Sequence, residues 1–560
     1  MNVSLSPLSR PRLRRYVLIL IALALAWTAV TLVRSYHYWE NTGIEDPHMG
    51  STIRNGFLVI VGLVAAAYAG QWVWRASHGE GRAAAVQPVA TAAEVATPQT
   101  NSENAKILAG TGAKYALEIR AVGLAVTGRH QDTIWKQIVA KANNYETVLS
   151  SDPKDYGENP DERRIFAEVA AGASFKYAAG EAVDHWPVPV IIYGPPKGAE
   201  SHYRAAYEIF DVRQKAGLGV TQFLWLDDAN VSSAAPAIDK LFKFFDEHPD
   251  VPAALVVSQD SMVNRWGLNT PGAPKEPQGA FIPPVVDSMS ALLVARTDRV
   301  NKLIRPYQVD MPGDIDNTKT QYDVVKLWNF YWKEDGAFSD KVEAEAGGHF
   351  YGPPTMRSDW WISKLPELWK EVTNKGPGEF QSSPYLPVRW ANWQVDEFDE
   401  APLLGYLHRP VDIKLTDDNG KLLKRAEQVK QLQEGWKQAV ATLPDGAKPT
   451  RVFYDTTRDR EWTIPLTQAL HGNTEGIDLG NVKEGYDVGR RIGNTGVSSA
   501  LVQLSLATIA NYEEGGSSAT INLMDDGRAS IVMVSPPDEA SKGKNSEHRG
   551  PNPFRYRMPH

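Results

Sequence analysis

Two long apolar runs stand near the start of the chain, before any shorter pattern begins. Val17–Val33 carries no charge and follows four arginines, and a second apolar run, Phe57–Trp74, ends at Arg75. A helix of 17 residues is about 26 Å long, close to the thickness of a bilayer core. The pattern therefore predicts a membrane hairpin over 1–75. Because the arginines gather outside the two spans, the positive-inside rule places both ends, and the body that follows, in the cytoplasm.

Two alternatives to this hairpin stay open. In one, the first run is a cleaved signal peptide, although its apolar region is longer than such peptides usually have. In the other, the second run, which Gly62 and Gly70 weaken, is a buried helix of the soluble body. If only the first run spans the bilayer, the body lies in the periplasm. A cytoplasmic protein is a further alternative.

Downstream of the hairpin, residues 76–108 are rich in Ala, Thr, Pro, Ser and Gly, a composition typical of a flexible linker. Short β-branched runs then alternate with longer amphipathic runs over 109–300, in the order βαβαβαββ. A Trp-rich connecting region occupies 301–405, a similar order returns over 406–540, and 541–560 is a tail. Uniformly apolar strands belong to a sheet that helices cover on both faces. We therefore predict a layered α/β fold with duplicated halves.

Individual runs show how this order is assigned. In the first half, the spacing predicts a helix over Gln131–Tyr145 and a strand over Pro189–Tyr193, and Ala235–Glu247 places its large apolar residues on one helical face. In the second half, Ser498–Tyr512 has the pattern of a helix, and two strands joined by an Asp-Asp-Gly turn follow it. The segment that precedes this helix has no recognisable pattern.

Composition excludes several classes of protein. The chain of 560 residues contains no cysteine, which excludes a disulfide framework, a thiolate metal site and a cysteine nucleophile. Its 67 acidic and 59 basic side chains give a net charge of −8, and without a basic excess we expect no nucleic-acid partner. An apolar fraction of 42 % is enough for a packed core, so most of the chain should fold.

The usual motifs of enzymatic chemistry are missing from the sequence, including the phosphate-binding loop, the dinucleotide fingerprint, the zinc-protease helix and the nucleophile elbow. Three pairs of aspartates remain. Asp417–Asp418 and Asp525–Asp526 lie in glycine-containing turns, where aspartate has a conformational role. Asp227–Asp228 ends a predicted strand and could meet a ligand or metal, but no nearby histidine or third carboxylate supports such a site. We expect neither a metal nor a cofactor.

Three short segments resemble the active-site stretches of ketoacyl synthases, whose thiolase-like fold has the same plan of two βαβαβαββ halves. The DANVSS segment is similar to the turn that carries the family's catalytic cysteine, and Asn230 stands in place of that cysteine. The LHGNT segment is similar to a stretch with a catalytic histidine, which is kept as His471. The IGNTG segment is similar to a second histidine stretch, in which Asn494 replaces the histidine.

This resemblance implies a pocket that has lost its catalytic function. In the family, a thiolate attacks an acyl carbonyl while imidazoles transfer protons and stabilise the oxyanion. An asparagine amide cannot replace a thiolate, and His471 alone cannot run a condensation. We therefore predict a non-catalytic protein in which Asn230, His471 and Asn494 are the remains of the pocket. An unrelated α/β protein with chance matches is the alternative.

Tryptophan is concentrated between the two halves. Seven of the 17 tryptophans lie from Trp328 to Trp393, and the Tyr-Gly-Pro-Pro sequence at 351–354 repeats the one at 193–196. Aromatic residues on rigid loops are typical of interface hot spots, whereas the simpler interpretation is that these rings cover the sheet. The candidates for binding a partner protein are Trp360, Trp361, Trp390 and Trp393.

The chain as a whole resembles the type VI lipase adaptor family, formerly a domain of unknown function. The likeness lies in Ala121–Lys136, Val188–Lys197 and Trp225–Asp260, together with the N-terminal hairpin. It implies a non-catalytic adaptor that binds a lipase-type toxin effector and helps to load it onto the spike of the type VI secretion apparatus. With the hairpin, it implies a protein of the bacterial inner membrane with two transmembrane helices and a body facing the cytoplasm.

Two other functions stay open. The first is acyl-thioester binding or acyl transfer in the pocket of Asn230, His471 and Asn494. The second is a membrane-anchored structural role. Co-purification with a neighbouring lipase would favour the adaptor, whereas transfer of a labelled acyl group that depends on His471 would favour the enzyme.

Overall fold

The computed structural model describes the body of the chain and a few residues of its N-terminal segment. The described residues are 24, 27–35, 56–57, 115–142, 145–198, 204–230, 233–345, 355–473 and 476–554. Residues 1–103 form one unit and 104–560 another. Among the described residues of both units, no helix has the length and hydropathy needed to cross a bilayer. Most of both predicted spans, and the whole predicted linker, lie outside the described residues, so the hairpin stays a prediction that no described element supports.

The first half begins with a ten-residue strand and ends with two neighbouring strands. Its strands are β1 (Leu117–Val126), β2 (Arg129–His130), β3 (Pro187–Gly194), β4 (Gln222–Asn230), β5 (Ala253–Asp260) and β6 (Ser288–Ala295). Its helices are α1 (Gln131–Ala140), α2 (Pro160–Ala179), α3 (Arg204–Ala216), α4 (Pro236–Glu247) and α5 (Met262–Gly267).

The connecting region is helical, and the second half then repeats the element order of the first. The connecting helices are α6 (Asp323–Glu345), α7 (Ser358–Glu371) and α8 (Asn392–Glu400). The strands of the second half are β7 (Gly405–Leu407), β8 (Val411–Lys414), β9 (Pro449–Tyr454), β10 (Gly485–Asp487), β11 (Ser517–Leu523) and β12 (Arg528–Ser535). Its helices are α9 (Arg425–Val440), α10 (Thr463–His471), α11 (Val488–Ile492), α12 (Ser499–Glu514) and α13 (Glu539–Arg549).

These strands form one mixed sheet of 12 strands, to which each half contributes the same strand order. The order is β4-β3-β5-β6-β1 in the first half and β10-β9-β11-β12-β7 in the second. If β2 and β8 are left out and the remaining five strands of each half are numbered 1 to 5 along the chain, both halves have the order 3-2-4-5-1. Strands β1 and β7 pair antiparallel at the centre, with Leu117 opposite Leu407. The predicted duplication is confirmed, and the fold is a mixed α/β fold.

Alternate residues of the strands face different hydrophobic clusters. In β3, Val190 and Ile192 pack with α2 and α3 on the outer face, whereas Ile191 packs in a central cluster with α4 and α12. In β9, Val452 packs with α9 and α10, and Phe453 belongs to the central cluster. The central cluster therefore contains both α4 and α12 and joins the two halves.

Candidate functional site

The loops that precede helices α4 and α12 meet near the carboxyl ends of the parallel strands. The amide of Ala234, two residues before α4, donates a hydrogen bond of 3.0 Å to the carbonyl of Val497, two residues before α12. Asn230, at the end of β4, pairs with Gly194 at the end of β3. Carboxyl ends of strands are where open α/β sheets bind ligands. The backbone segments that contain Asn230 and Asn494 therefore approach the same edge of the sheet.

The side chain of Asn494 connects its own loop to the first half. Its Nδ2 donates to the carbonyl of Pro284 over 3.0 Å, and its Oδ1 accepts the amide of Gly496, also over 3.0 Å. The backbone carbonyl of Asn494 accepts the amide of Val286 at 2.9 Å. Both ends of the carboxamide thus have backbone partners, and the residue joins the loop before α12 to the segment before β6.

His471 lies away from this edge of the sheet. It is the last residue of α10, the helix that leads from the carboxyl end of β9 back to the amino end of β10. Because β9 and β10 are parallel, this crossover carries His471 towards the opposite edge from Asn494. Its imidazole is mostly exposed and its Nε2 lies 3.8 Å from Oδ1 of Asp478. The structure thus brings the segments of Asn230 and Asn494 together and leaves His471 apart from them.

A carboxylate that the sequence patterns did not single out lies at the centre of this edge. Asp260 ends β5, is fully buried, and accepts two hydrogen bonds of 2.7 and 2.9 Å from the guanidinium of Arg265. Its Oδ2 also accepts the amide of Val497 at 2.9 Å. Burial raises the pKa of this carboxyl, while Arg265 and the amide of Val497 oppose the shift by stabilising the charged form.

Glycine is required beside this carboxylate. Gly496 has a φ of 56°, and a Cβ at this position would lie 2.0 Å from Oδ2 of Asp260. The left-handed backbone and the close approach each favour the residue without a side chain. The Gly496 backbone therefore brings the loop before α12 directly against β5.

A second group of polar side chains lies where β9 ends. Asp455 accepts hydrogen bonds from the hydroxyl of Ser499, the first residue of α12, and from the amide of Thr457. Gln503, one turn along α12, donates to Ser499 at 3.2 Å and to Asn522 of β11 at 2.8 Å. A chain of hydrogen bonds thus runs from β9 through the first turn of α12 to β11.

The carboxylates of Asp260 and Asp455 and the side-chain amide of Asn494 are bonded to neighbouring side chains and to the backbone. A catalytic acid or base has to face the proton that it moves, within hydrogen-bond reach of a substrate. The carboxylates of Asp260 and Asp455 instead hold the start of α12. No group of three or more His, Asp or Glu side chains among the described residues is arranged to hold a metal ion. The hydrogen bonds at this edge therefore connect the two halves of the body.

The structure corrects part of the predicted docking surface. Trp361 and Trp390 are 0 % and 1 % exposed, so their rings belong to the core. Trp361 packs against α6, and Trp390 packs edge-on against Trp186 of the first half. Tryptophans are frequent here because the connecting region buries a large apolar face against the two halves. Trp360 and Trp393 are partly buried against hydrophobic clusters, and their role in partner binding stays a prediction.

Another tryptophan of the connecting region is more exposed than these four. Ile362 and Trp369, both on α7, are each 38 % exposed. Seven residues separate them, which places them two turns apart on the same face of the helix. The sequence contains this signal as the seven-residue spacing of the two side chains, but the density of tryptophans around it obscures it.

The body of the chain has a weak similarity to several solved structures. The ishigamide ketosynthase/chain length factor has 10 % identity over 76 % of this chain and 100 % of its own, with a TM-score of 0.39. The ketosynthase from module 1 of the bacillaene synthase of Bacillus amyloliquefaciens has 10 % identity over 77 % of each chain and a TM-score of 0.38. A variant of OleA from Xanthomonas campestris has 11 % identity over 75 % of this chain and 98 % of its own, with a TM-score of 0.35.

Two family models match the body, one in each half. The N-terminal model of Type VI lipase adapter protein Tla3 matches residues 115–278, and the C-terminal model of the same protein matches residues 404–536. Together the matches cover more than half of the chain, and neither includes residues 279–403. The resemblance inferred from the sequence is confirmed: the chain belongs to the type VI lipase adapter family.

Proposed function

We propose that this protein is a non-catalytic adaptor that binds a lipase-type toxin effector and helps to load it onto the spike of a type VI secretion apparatus. The match of both halves to the type VI lipase adapter family is the observation that carries this proposal. An adaptor needs a stable body that presents separate surfaces to its partners. A single sheet of 12 strands, covered by helices, supplies such a body.

The chemistry of the central edge also supports a role without catalysis. Acyl transfer of the ketosynthase type needs a nucleophile beside a base. The sequence contains no cysteine, and asparagine ends β4 at position 230. The side chains of Asn494 and Asp260 form hydrogen bonds with backbone groups of the neighbouring loops. His471 ends helix α10, towards the opposite edge of the sheet.

The proposed location is the bacterial inner membrane, with spans near 17–33 and 57–74 and the body in the cytoplasm, where an effector is loaded before export. The arginines that flank the two apolar runs support this orientation. A reporter fused after Arg75 tests it. Activity of a cytoplasmic reporter at this position supports the orientation, and activity of a periplasmic reporter alone contradicts it.

Partner binding can be measured with the full-length protein and a purified lipase-type effector from the same bacterium. We expect the effector to co-purify with the adaptor, and the spike protein to join this pair in a ternary complex. A full-length protein that retains neither partner contradicts the proposal.

The enzymatic alternative is tested in the same preparation with a labelled acyl thioester. The proposal expects no transfer of the acyl group above the uncatalysed rate. Transfer that disappears in Asn494→Ala or His471→Ala would replace the adaptor with an acyltransferase.

A further inference from the structure

Large apolar side chains are exposed on two neighbouring segments of the first half. Ile165 and Phe166, on the N-terminal part of α2, are 55 % and 43 % exposed. Ile282, on the loop between α5 and β6, is 47 % exposed. Isolated exposed apolar residues are normal, but three on two segments that contact each other form a candidate contact surface. We call Ile165, Phe166 and Ile282, with the acidic residues described below, the α2 face.

One buried arginine holds the two segments together. The guanidinium of Arg163 donates to the carbonyl of Gly279 at 3.1 Å and also to the carbonyl of Pro277. The same guanidinium lies 5.1 Å from the ring centre of Phe281, the residue before Ile282. The loop is therefore fixed to α2, and the α2 face is organised before any partner arrives, which lowers the entropy lost on binding.

The border of this surface is acidic. Between residues 152 and 164, five carboxylates lie at the surface against two surface cations, which leaves a formal charge of −3. Lys154 lies 3.4 Å from Glu158, and Arg164 lies 2.8 Å from Asp161, so both cations already have partners. The remaining carboxylates are Asp152, Asp155 and Glu162.

We propose that the α2 face is the docking surface for the lipase-type effector, and that it binds an effector segment which carries apolar side chains flanked by Lys or Arg. The apolar residues of the segment cover Ile165, Phe166 and Ile282, and its basic side chains lie against the acidic border. This inference rests on the proposed function. Charge complementarity favours a basic protein segment, because the acidic border repels the anionic lipids of a bacterial membrane.

The apolar contact is tested by Ile165→Asp combined with Phe166→Asp in the full-length protein. Ile464→Asp on α10 is the matched control, because Ile464 is 40 % exposed on the other half. We expect the Kd for the purified effector to rise about tenfold or more in the double variant and to stay within about twofold of the wild type in the control. Circular dichroism and thermal melting establish that all variants keep the wild-type fold.

The acidic border is tested by the rate of association. Asp155→Lys should lower the association rate at low ionic strength about threefold or more, and the difference should vanish in high salt, where charges are screened. Glu434→Lys on α9 is the control with the same change of charge, and it should leave the rate unchanged. Equal rates for all three proteins at low salt contradict the acidic contact.

The outcomes separate this inference from the proposed function. If the wild-type protein binds no effector, the proposed function fails. If the wild type binds, while the double variant binds equally well and Ile362→Asp with Trp369→Asp abolishes binding, the adaptor stands and its docking surface is α7. If the double variant loses binding to vesicles of anionic lipid instead of binding to the effector, the partner is a membrane and the inference is overturned.

Discussion

Helices α4 and α12 have equivalent positions in the two halves, but six of the 12 residues of α4 are buried and 12 of the 16 residues of α12 are buried. Helix α4 packs on β3 and β5 of its own half. Helix α12 packs on β1 and β6 of the first half as well as on β7, β11 and β12 of the second. Duplicated elements can therefore differ in role. Helix α12 packs between the two halves and is called the joint below, whereas α4 has a solvent-facing side.

The polar residues inside α12 show how this joint is specified. The hydroxyl of Ser505 shares a hydrogen bond of 2.8 Å with Ser290 of β6, which crosses to the first half. The side chain of Asn511 donates to the carbonyl of Val534 at 2.8 Å and accepts from Arg451 at 3.2 Å. Because these buried groups have partners, they set the position of α12 between the halves. In α4 the polar side chains are partly or fully exposed, and the polar contact to the second half lies at its C-terminal end, where Asp246 accepts a hydrogen bond from Arg409 at 2.9 Å.

The largest effect is expected in the core of the joint. Leu504, 1 % exposed in α12, lies in the central cluster. Leu504→Ala should lower the free energy of unfolding by about 3–5 kcal/mol, because it removes buried apolar surface and leaves a cavity. Urea denaturation of the full-length protein, followed by tryptophan fluorescence, measures this change. A loss below about 1 kcal/mol would mean that α12 is not the joint.

A somewhat smaller effect is expected at the loop before α12. Gly496→Ala should cost about 3 kcal/mol, because its Cβ would displace the buried carboxylate of Asp260 in addition to straining a backbone with φ of 56°. Gly446→Ala is the matched control, since Gly446 has φ of 80° and open space around it. The control should lose only about 1 kcal/mol for backbone strain. If urea denaturation shows equal losses of unfolding free energy in Gly496→Ala and Gly446→Ala, the close contact between residue 496 and Asp260 is not important.

The first strands of the two halves differ as well, and the dependence of the free energy of unfolding on pH tests this difference. Strand β1 is continuous, whereas its counterpart is divided into β7 and β8 by a segment that begins with His408. His408 is buried, its Nε2 lies 2.8 Å from the hydroxyl of Ser535, and burial lowers its pKa to about 4. The imidazole is therefore neutral in the folded protein at pH values where the unfolded chain already binds a proton.

The sign of the pH effect follows from this lowered pKa. The contribution of His408 is complete above pH 6.5 and is lost as the pH falls from 6.5 towards 4, which is a loss of about 2 kcal/mol between pH 7 and pH 5. The free energy of unfolding, measured by urea at the two pH values, should fall less in His408→Gln than in the wild type. Identical pH dependence in both proteins would contradict a buried neutral imidazole.

The smallest effect is expected on the exposed side of α4. Lys243 is 65 % exposed and pairs with Asp239 one turn away. Lys243→Ala should leave the free energy of unfolding almost unchanged, because surface ion pairs contribute little. Urea denaturation measures this change. A loss as large as that of His408→Gln or Gly496→Ala would contradict the view that this side of α4 is a solvent-facing surface.

The architecture of both halves could be predicted because most of their strands and helices have clear patterns. Helix α2 was not predicted, since its residues from Gly172 to Lys176 are all buried and leave no polar side to reveal a helical period. The helix predicted over Gln131–Tyr145 ends at Ala140, before Tyr145 adopts a φ of 52°. Strand β10 has only three residues, which is too short for an alternating pattern.

The candidate site was only partly predictable, because its residues come together through the fold. The resemblance to ketoacyl synthases placed Asn230, His471 and Asn494 in one pocket. The structure brings the backbone segments of the two asparagines to one edge of the sheet, whereas His471 lies at the end of α10, towards the opposite edge. Asp260 went unnoticed although it has the same signal as Asp227, an acidic residue that ends an apolar strand. For Trp361 and Trp390, local spacing cannot tell a buried ring from an exposed one, since packing against distant segments decides it.

The antiparallel pair of β1 and β7 has a consequence for how the protein is made. Leu117 and Leu407 are paired although 290 positions separate them in the chain. During synthesis, β1 leaves the ribosome long before β7 exists, and the apolar edge beside it stays open to wrong association for that interval. Pairing of such distant strands is also intrinsically slow. We therefore expect the newly made chain to depend on chaperones until the second half is complete, and residues 109–300 produced alone to aggregate.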